Sequence, residues 1–263
     1  MAEDDGSDEV ARERDFVQSL ARGLQVLRAF SAERATMTLS EVANETGLTR
    51  ATARRLVLTL ESLGYLRSDG RRFEPTSRIL ELSRSYLATK TIWDDARPFV
   101  VDLVNETFES SSIAVLDELD AVLVARVPTN RIMSIALTVG ARLPATCSST
   151  GRVMLAALDA ATLEQRLAAW VPSRLTERTI DTLAGLHAEL QRVREQGFAL
   201  VDQEIEMGVR SLAVPLHDRH GTVIASVNVS AHASRVTAQR LRREFLPPLQ
   251  RAARNIEAEI ARR

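Results

Sequence analysis

One cysteine and one lysine stand in 263 residues, and no apolar run approaches the roughly 18 residues needed to span a bilayer. The single thiol, Cys147, excludes an intrachain disulfide and fits a reducing cytoplasm. The first residues are acidic and lack the charged-then-apolar plan of a signal peptide, so a cytoplasmic protein without membrane attachment is expected. No glycine-rich phosphate loop appears, no Ser/His/Asp triad declares itself, and there is no internal repeat. No cofactor and no enzymatic activity are therefore expected.

What is present is an ordinary globular composition, 45% hydrophobic and 26% charged, long enough for two domains. The formal charge of -1 hides a partition. Residues 1–15 carry seven acids against two arginines, whereas residues 16–90 carry twelve bases against seven acids. A basic module behind an acidic tail suits a phosphate-binding surface. The near-total use of arginine over lysine is also what a GC-rich genome produces, so the arginine count alone is no argument for nucleic acid.

Residues 1–15 are polar and aperiodic and read as a disordered tail. Phe16 to Phe30 carries Val17, Leu20, Leu24 and Leu27 at helical spacing. Thr38 or Ser40 caps a second helix that stops near Gly47. Thr49 caps a third, with Ala53, Leu56, Leu60 and Leu63 on one face and Gly64 at its end. The Ser68-Asp69-Gly70 turn between Leu66-Arg67 and Arg71-Arg72-Phe73 predicts a hairpin. Helix, glycine turn, arginine-bearing helix and wing form the layout of a winged helix-turn-helix over 16–76. A linker helix over 77–92 follows, then a domain over 93–263. There, strands at Ser112–Leu116, Val122–Val127, Ile132–Val139, Phe198–Val201, Ser211–Leu216 and Val223–Ser230 are separated by helices. The fold class is α+β, with a mostly antiparallel sheet.

An α-helix fits the major groove of duplex DNA. The positions of the third helix opposite its leucines are Thr49, Arg50, Ala51, Arg54 and Arg55. Arginine forks match guanine edges, hydroxyls match phosphate, and Ala51 leaves room for a thymine methyl. Arg71 and Arg72 on the wing reach backbone or minor groove, and Arg22 adds a phosphate contact. A helical module that docks protein rather than DNA is the alternative reading of the same pattern.

SLARGLQVLRAF, LSEVANETGLTRATARRLVLTLESLGYL and GFALVDQEIEMGVRSLAVPLHD together resemble the IclR family of bacterial transcription regulators over nearly all of residues 16–263. The resemblance implies a winged helix joined by a helix to an effector-binding domain, in a homodimer or a dimer of dimers. ARVPTNRIMSIALTVGARLPATCSSTGRVMLA is similar to regulators of aromatic-acid catabolism, the protocatechuate, 4-hydroxybenzoate and β-ketoadipate group. A glyoxylate-type or other catabolic effector remains the alternative.

Small organic acids need donors held in an apolar bowl, and a helix N-terminus offers N–H groups and a favourable dipole. Cys147 to Gly151, ahead of the apolar run from Val153 to Leu158, supplies such an end. By the family's pattern Ser149 and Thr150 contact the effector, Ile132, Ile135 and Leu143 form apolar walls, and Ser211, Asn228 and Ser230 are polar contacts. Val201 falls on a further contact position where relatives carry Asp, which implies a larger or less polar effector. Ser149 as a plain helix cap and Asn228 as a partner for a neighbouring strand stay open, as does Arg131 as a carboxylate clamp. His217-Asp218-Arg219-His220 offers two imidazoles and a carboxylate, but a hairpin tip splays them, so no metal is expected.

Overall fold

The computed structural model describes residues 16–31, 34–82, 92–129 and 137–262. The acidic tail, most of the expected linker helix and most of the strand expected at Ile132–Val139 lie outside these residues. The chain divides into two compact units, Met1–Thr89 and Lys90–Arg263.

In the first unit α1 spans Gln18–Arg28, α2 Leu39–Thr46 and α3 Arg50–Ser62, with short strands β1 (Met37–Thr38), β2 (Leu66–Ser68) and β3 (Arg72–Pro75). The boundaries follow local chemistry. Thr38 Oγ1 accepts the Glu41 N–H while the Glu41 carboxylate accepts the Thr38 N–H, a capping box that starts α2. Gly47, at φ +66°, ends it in the left-handed region that glycine adopts without steric cost. Thr49 then caps α3. The strands form an antiparallel sheet in the order β1-β3-β2.

Val26, Val42, Ala53, Val57, Leu66 and Phe73 are among the side chains that close the core of this unit. One reading of a helix face needs correction. Leu63 is 52% exposed, because α3 ends one residue earlier and Val57 and Leu60 take the inner face. Along α1 and its flanks, where the sequence reading named no buried face, Val26 and Ala29 face the core, whereas Phe16, Val17, Leu20 and Leu24 remain exposed.

The second unit is built on a six-stranded sheet in the order β6-β5-β4-β9-β8-β7, antiparallel throughout. The strands are β4 Ser110–Asp117, β5 Asp120–Val127, β6 Arg142–Pro144, β7 Ala199–Asp202, β8 Val209–His217 and β9 Val223–His232. The helices are α4 Ile92–Thr107, α5 Ser149–Ala157, α6 Ala160–Leu167, α7 Leu183–Gln196, the short α8 Ala238–Arg240 and α9 Leu246–Ile260, with a wide turn at Leu241–Phe245 linking α8 to α9. Pro247 and Pro248 sit in the first turn of α9, directly after the wide turn that interrupts the closing helix.

Strand alternation assigns each residue a side. Val227, Val229, Leu212, Val214 and Ile113 face α4 and α9 in one core. Ala114, Leu123 and Ala213 face α5, α6 and α7 in the other. Ser226, Asn228 and Ser230 alternate with the valines of β9, so its polar residues lie on the α5 side. Among the described residues no helix is long and apolar enough to cross a membrane.

Candidate functional site

The first site is the outer face of α3. Thr49, Arg50, Ala51, Arg54 and Arg55 are all exposed. Thr49 Oγ1 accepts the Thr52 N–H at 3.3 Å and shares a hydrogen bond with Thr52 Oγ1 at 2.9 Å. Arg50, Arg54 and Arg55 make no ion pair with the described residues, unlike Arg34 with Glu45 or Arg67 with Glu74 in the same unit. Guanidinium groups held apart from acids on the first turns of a helix keep their donors for an external anion.

Arg22 is half-buried on α1 and shares a groove with Gln18, Leu20, Thr52, Arg55 and Thr59, which places it beside the same face. Arg71 is exposed at the wing tip, its N–H bonded to the Asp69 carboxylate at 2.9 Å. Arg72 departs from the expected role. Its Nε donates to Thr36 Oγ1 at 2.8 Å, and its Nη2 donates to the Thr36 carbonyl at 2.7 Å and to Glu41 at 3.2 Å. Those bonds make it a strut from wing to α2, with few donors left for a ligand.

The second site is a cavity of about 40 Å³ between the polar face of the sheet and the N-terminus of α5. Leu143, Ser149, Thr150, Ser211, Asn228 and Ser230, all singled out from the sequence, line it together. Val201 does not. It pairs with Ser211 on the same face but lies on the edge strand, one strand beyond the cavity, and is buried. Ile132, Ile135 and Arg131 lie outside the described residues.

Ser148, not Ser149, caps α5, its Oγ accepting the Gly151 N–H at 3.1 Å. The Ser149 hydroxyl is buried with no partner among the described residues. Asn228 both lines the cavity and serves its neighbours: Oδ1 accepts the Ser112 N–H at 3.0 Å and Nδ2 donates to Ser230 Oγ at 3.1 Å. Gly151 is required by close approach, because a Cβ there would stand 2.1 Å from Ala145 Cα.

The residue that sequence reasoning missed is Arg126 on β5. Its Nη1 donates to Ser112 Oγ at 3.0 Å, while its Nε is buried in the cavity wall without a partner among the described residues. Burial pushes its guanidinium pKa below the usual arginine value. The available signal was an arginine inside the apolar run Ala121–Val127. Leu123, Leu137, Ile205 and Val209 supply apolar walls. A buried guanidinium donor, a buried hydroxyl and a helix N-terminus around apolar side chains can hold a small organic anion. Cys147 is no nucleophile in this setting, since burial pushes its thiol up to about 11. His217 is turned onto Glu257, 2.6 Å from Oε1, and among the described residues no three or more His, Cys, Asp or Glu converge as a metal site.

Two family models divide the chain. The IclR helix-turn-helix domain matches residues 19–70, and the bacterial transcriptional regulator IclR C-terminal domain matches residues 84–258. The Pca regulon regulatory protein of Pseudomonas putida is 40% identical over 243 residues, 92% of this chain and 84% of that protein. The p-hydroxybenzoate hydroxylase transcriptional activator of Acinetobacter baylyi is 35% identical over 255 residues, 95% of this chain and 94% of that protein. A crystal structure of a Rhodococcus sp. RHA1 protein described as a transcriptional regulator superposes with a TM-score of 0.79 at 44% identity, covering 93% of this chain and 98% of that one. The matched models and these relatives are regulators, and none belongs to an enzyme family. With a helix-turn-helix domain matched in one unit and the C-terminal regulator domain in the other, the chain belongs to the IclR family of bacterial transcriptional regulators.

Proposed function

We propose that this regulator responds to an aromatic carboxylic acid, of the protocatechuate or 4-hydroxybenzoate class, and controls genes for its catabolism. The observation that carries the reading is the cavity lined by Arg126 and Ser149, each with a buried polar atom that lacks a partner among the described residues. An unpaired buried donor costs about 1–3 kcal/mol, which a carboxylate or ring hydroxyl entering the cavity would offset. The apolar walls suit a ring. The names of the Pseudomonas putida and Acinetobacter baylyi relatives support the same class. The volume of about 40 Å³ favours a second reading, a small glyoxylate-type acid. Calorimetric titration with 4-hydroxybenzoate, protocatechuate and glyoxylate separates the two; binding of glyoxylate alone would remove the aromatic reading.

Thr49, Arg50, Ala51, Arg54 and Arg55 are the groove-facing residues of the proposed DNA contact, with Arg71 on the wing and Arg22 alongside. Binding to operator DNA through them weakens steeply with salt, because each neutralised phosphate releases counterions. A band-shift that ignores salt would favour a protein-docking module instead. The exposed row Phe16, Leu20 and Leu24 on α1 supports a homodimer through the DNA-binding domains, with two α3 helices in successive major grooves about 10 bp apart. Residues 16–76 are the proposed winged-helix domain, 77–92 the linker and 93–263 the effector domain. The protein is proposed to be cytoplasmic, to associate with the nucleoid when bound to DNA, and to catalyse no reaction.

A further inference from the structure

A buried charge pair beside the cavity takes no part in the contacts described so far. Arg152, 1% exposed, sits in the first turn of α5, three residues after Ser149. Its guanidinium grips Glu204 with two prongs, Nη1 donating to Oε1 at 2.7 Å and Nη2 to Oε2, while Nε donates to the Thr146 carbonyl at 2.8 Å. Glu204, 7% exposed, also accepts the Ile180 N–H at 3.3 Å. A second acid, Glu189, stands 3.9 Å from Arg152 and is itself paired with Arg192.

Neither Arg152 nor Glu204 lines the cavity, yet each is a near neighbour of residues that do. Arg152 follows Ser148, Ser149 and Thr150 on the same helix. Glu204 precedes Ile205 in the turn between β7 and β8, and Val209 ends that turn. The turn is braced internally: Gln203 N–H donates to the Val209 carbonyl at 2.8 Å and Gly208 N–H to Gln203 Oε1 at 3.1 Å. The Thr176 and Thr179 hydroxyls also donate to the Gln203 and Glu204 carbonyls, each at 2.7 Å, and the tie from Glu204 to α5 runs through the Arg152 side chain.

A buried ion pair is a poor source of net stability, since apolar side chains of similar volume generally hold a fold as well. What a two-pronged pair adds is fixed geometry. We infer that Arg152 and Glu204 form a positioning pair for the effector, holding the N-terminus of α5 and the Ile205 turn at the separation the ligand needs; this rests on the cavity being the effector site. The pair pre-organises the cavity without touching its occupant.

The test uses the full chain, with calorimetric titration of 4-hydroxybenzoate and protocatechuate, thermal melting, and an operator band-shift without effector. Glu204→Gln keeps the shape and removes the charge. The double variant Arg152→Met with Glu204→Leu replaces the pair by apolar side chains. Both are expected to raise the effector Kd at least about tenfold. The double variant also strips the Thr146 carbonyl and the Ile180 N–H of their partners, so a lowered melting temperature but a folded protein with the effector-free operator affinity of the parent is expected. Effector affinity within twofold of the parent in the folded double variant would overturn the inference and leave the cavity reading intact. Should Glu204→Gln not fold, the double variant decides alone. A parent protein that binds neither of these acids nor glyoxylate would sink the cavity reading, and this inference with it.

Discussion

Arg126 Nη1 donates to Ser112 Oγ at 3.0 Å, across the pairing of β5 with β4, and this bond fixes the guanidinium with its Nε turned away and unpaired among the described residues. The hydroxyl holds the arginine in place without neutralising it. A charged donor in a cavity wall, short of a partner among the described residues, is poised for a carboxylate.

Arg126→Leu is therefore expected to weaken effector binding by about 1.5–3 kcal/mol, the range for hydrogen bonds to a charged group. Melting without effector should stay level or rise, because a buried Nε without a partner among the described residues is removed. Titration calorimetry checks the first part, and unchanged affinity would exclude Arg126 from the contact.

Ser149→Ala removes a buried hydroxyl that has no partner among the described residues, whereas Ser148→Ala removes a helix cap. The first should leave the unliganded protein as stable as before and reduce effector affinity, more so combined with Thr150→Ala. The second should cost about 1 kcal/mol of stability. Melting curves with and without effector distinguish the two patterns.

Arg50→Ala should lose about 1–3 kcal/mol of operator affinity if Arg50 reads a base, with no change in melting. Arg72→Ala should do the reverse, lowering the melting temperature by unbracing the wing from Thr36 and Glu41. A band-shift and a melt on each variant suffice. Equal operator loss in both, with both fully folded, would contradict the division.

Gly151→Ala is expected to destabilise the second unit by at least about 1–3 kcal/mol, since the added methyl must displace the Ala145 backbone. Denaturant unfolding measures it. A neutral result would mean that the start of α5 is free to shift, and the cavity with it.

Acid should loosen the winged helix through two surface carboxylates. The Glu41 carboxyl is held below its ordinary 4.5, chiefly by the Thr38 N–H. Asp69 is held below 3.8, chiefly by the N–H of Arg72 and then that of Arg71. A carboxyl lowered in the folded state stabilises it above the ordinary value, and that contribution fades as pH falls through the folded value. The melting temperature should thus be flat from neutrality to about pH 5 and fall below about pH 4. Glu41→Gln should flatten part of that fall; an identical acid limb would remove Glu41 from it.

Much of the first unit was legible because its boundaries are set by neighbours in sequence. Thr38 with Glu41, Gly47, Thr49 and the Asp69-Gly70 turn act within a few residues of themselves. The row Phe16, Leu20, Leu24 was legible as amphipathic but not as exposed, since spacing does not say whether an apolar stripe meets its own core or another surface. In the second unit, alternation along β8 and β9 grouped Ser211, Asn228 and Ser230, whereas Val201 shares their face and misses the cavity by one strand. Arg126 was overlooked because its strand reads as apolar on both sides, and the contact that gives it meaning, Ser112, comes from the partner strand.

Strand β9 carries two kinds of information on one backbone: its odd-numbered residues from Ala225 to Ala231 hold one core together, while Asn228 and Ser230 look into the cavity. On the proposed reading, ligand preference and foldedness are thereby interleaved. A point change at 230 would retune what the regulator senses while the valines go on holding the sheet, whereas a change at 228 would also strip the Ser112 N–H of its acceptor. An insertion or deletion of a single residue in the strand would exchange the two roles and forfeit both, so new inducer preferences should arise in this lineage by substitution and not by changes in strand length.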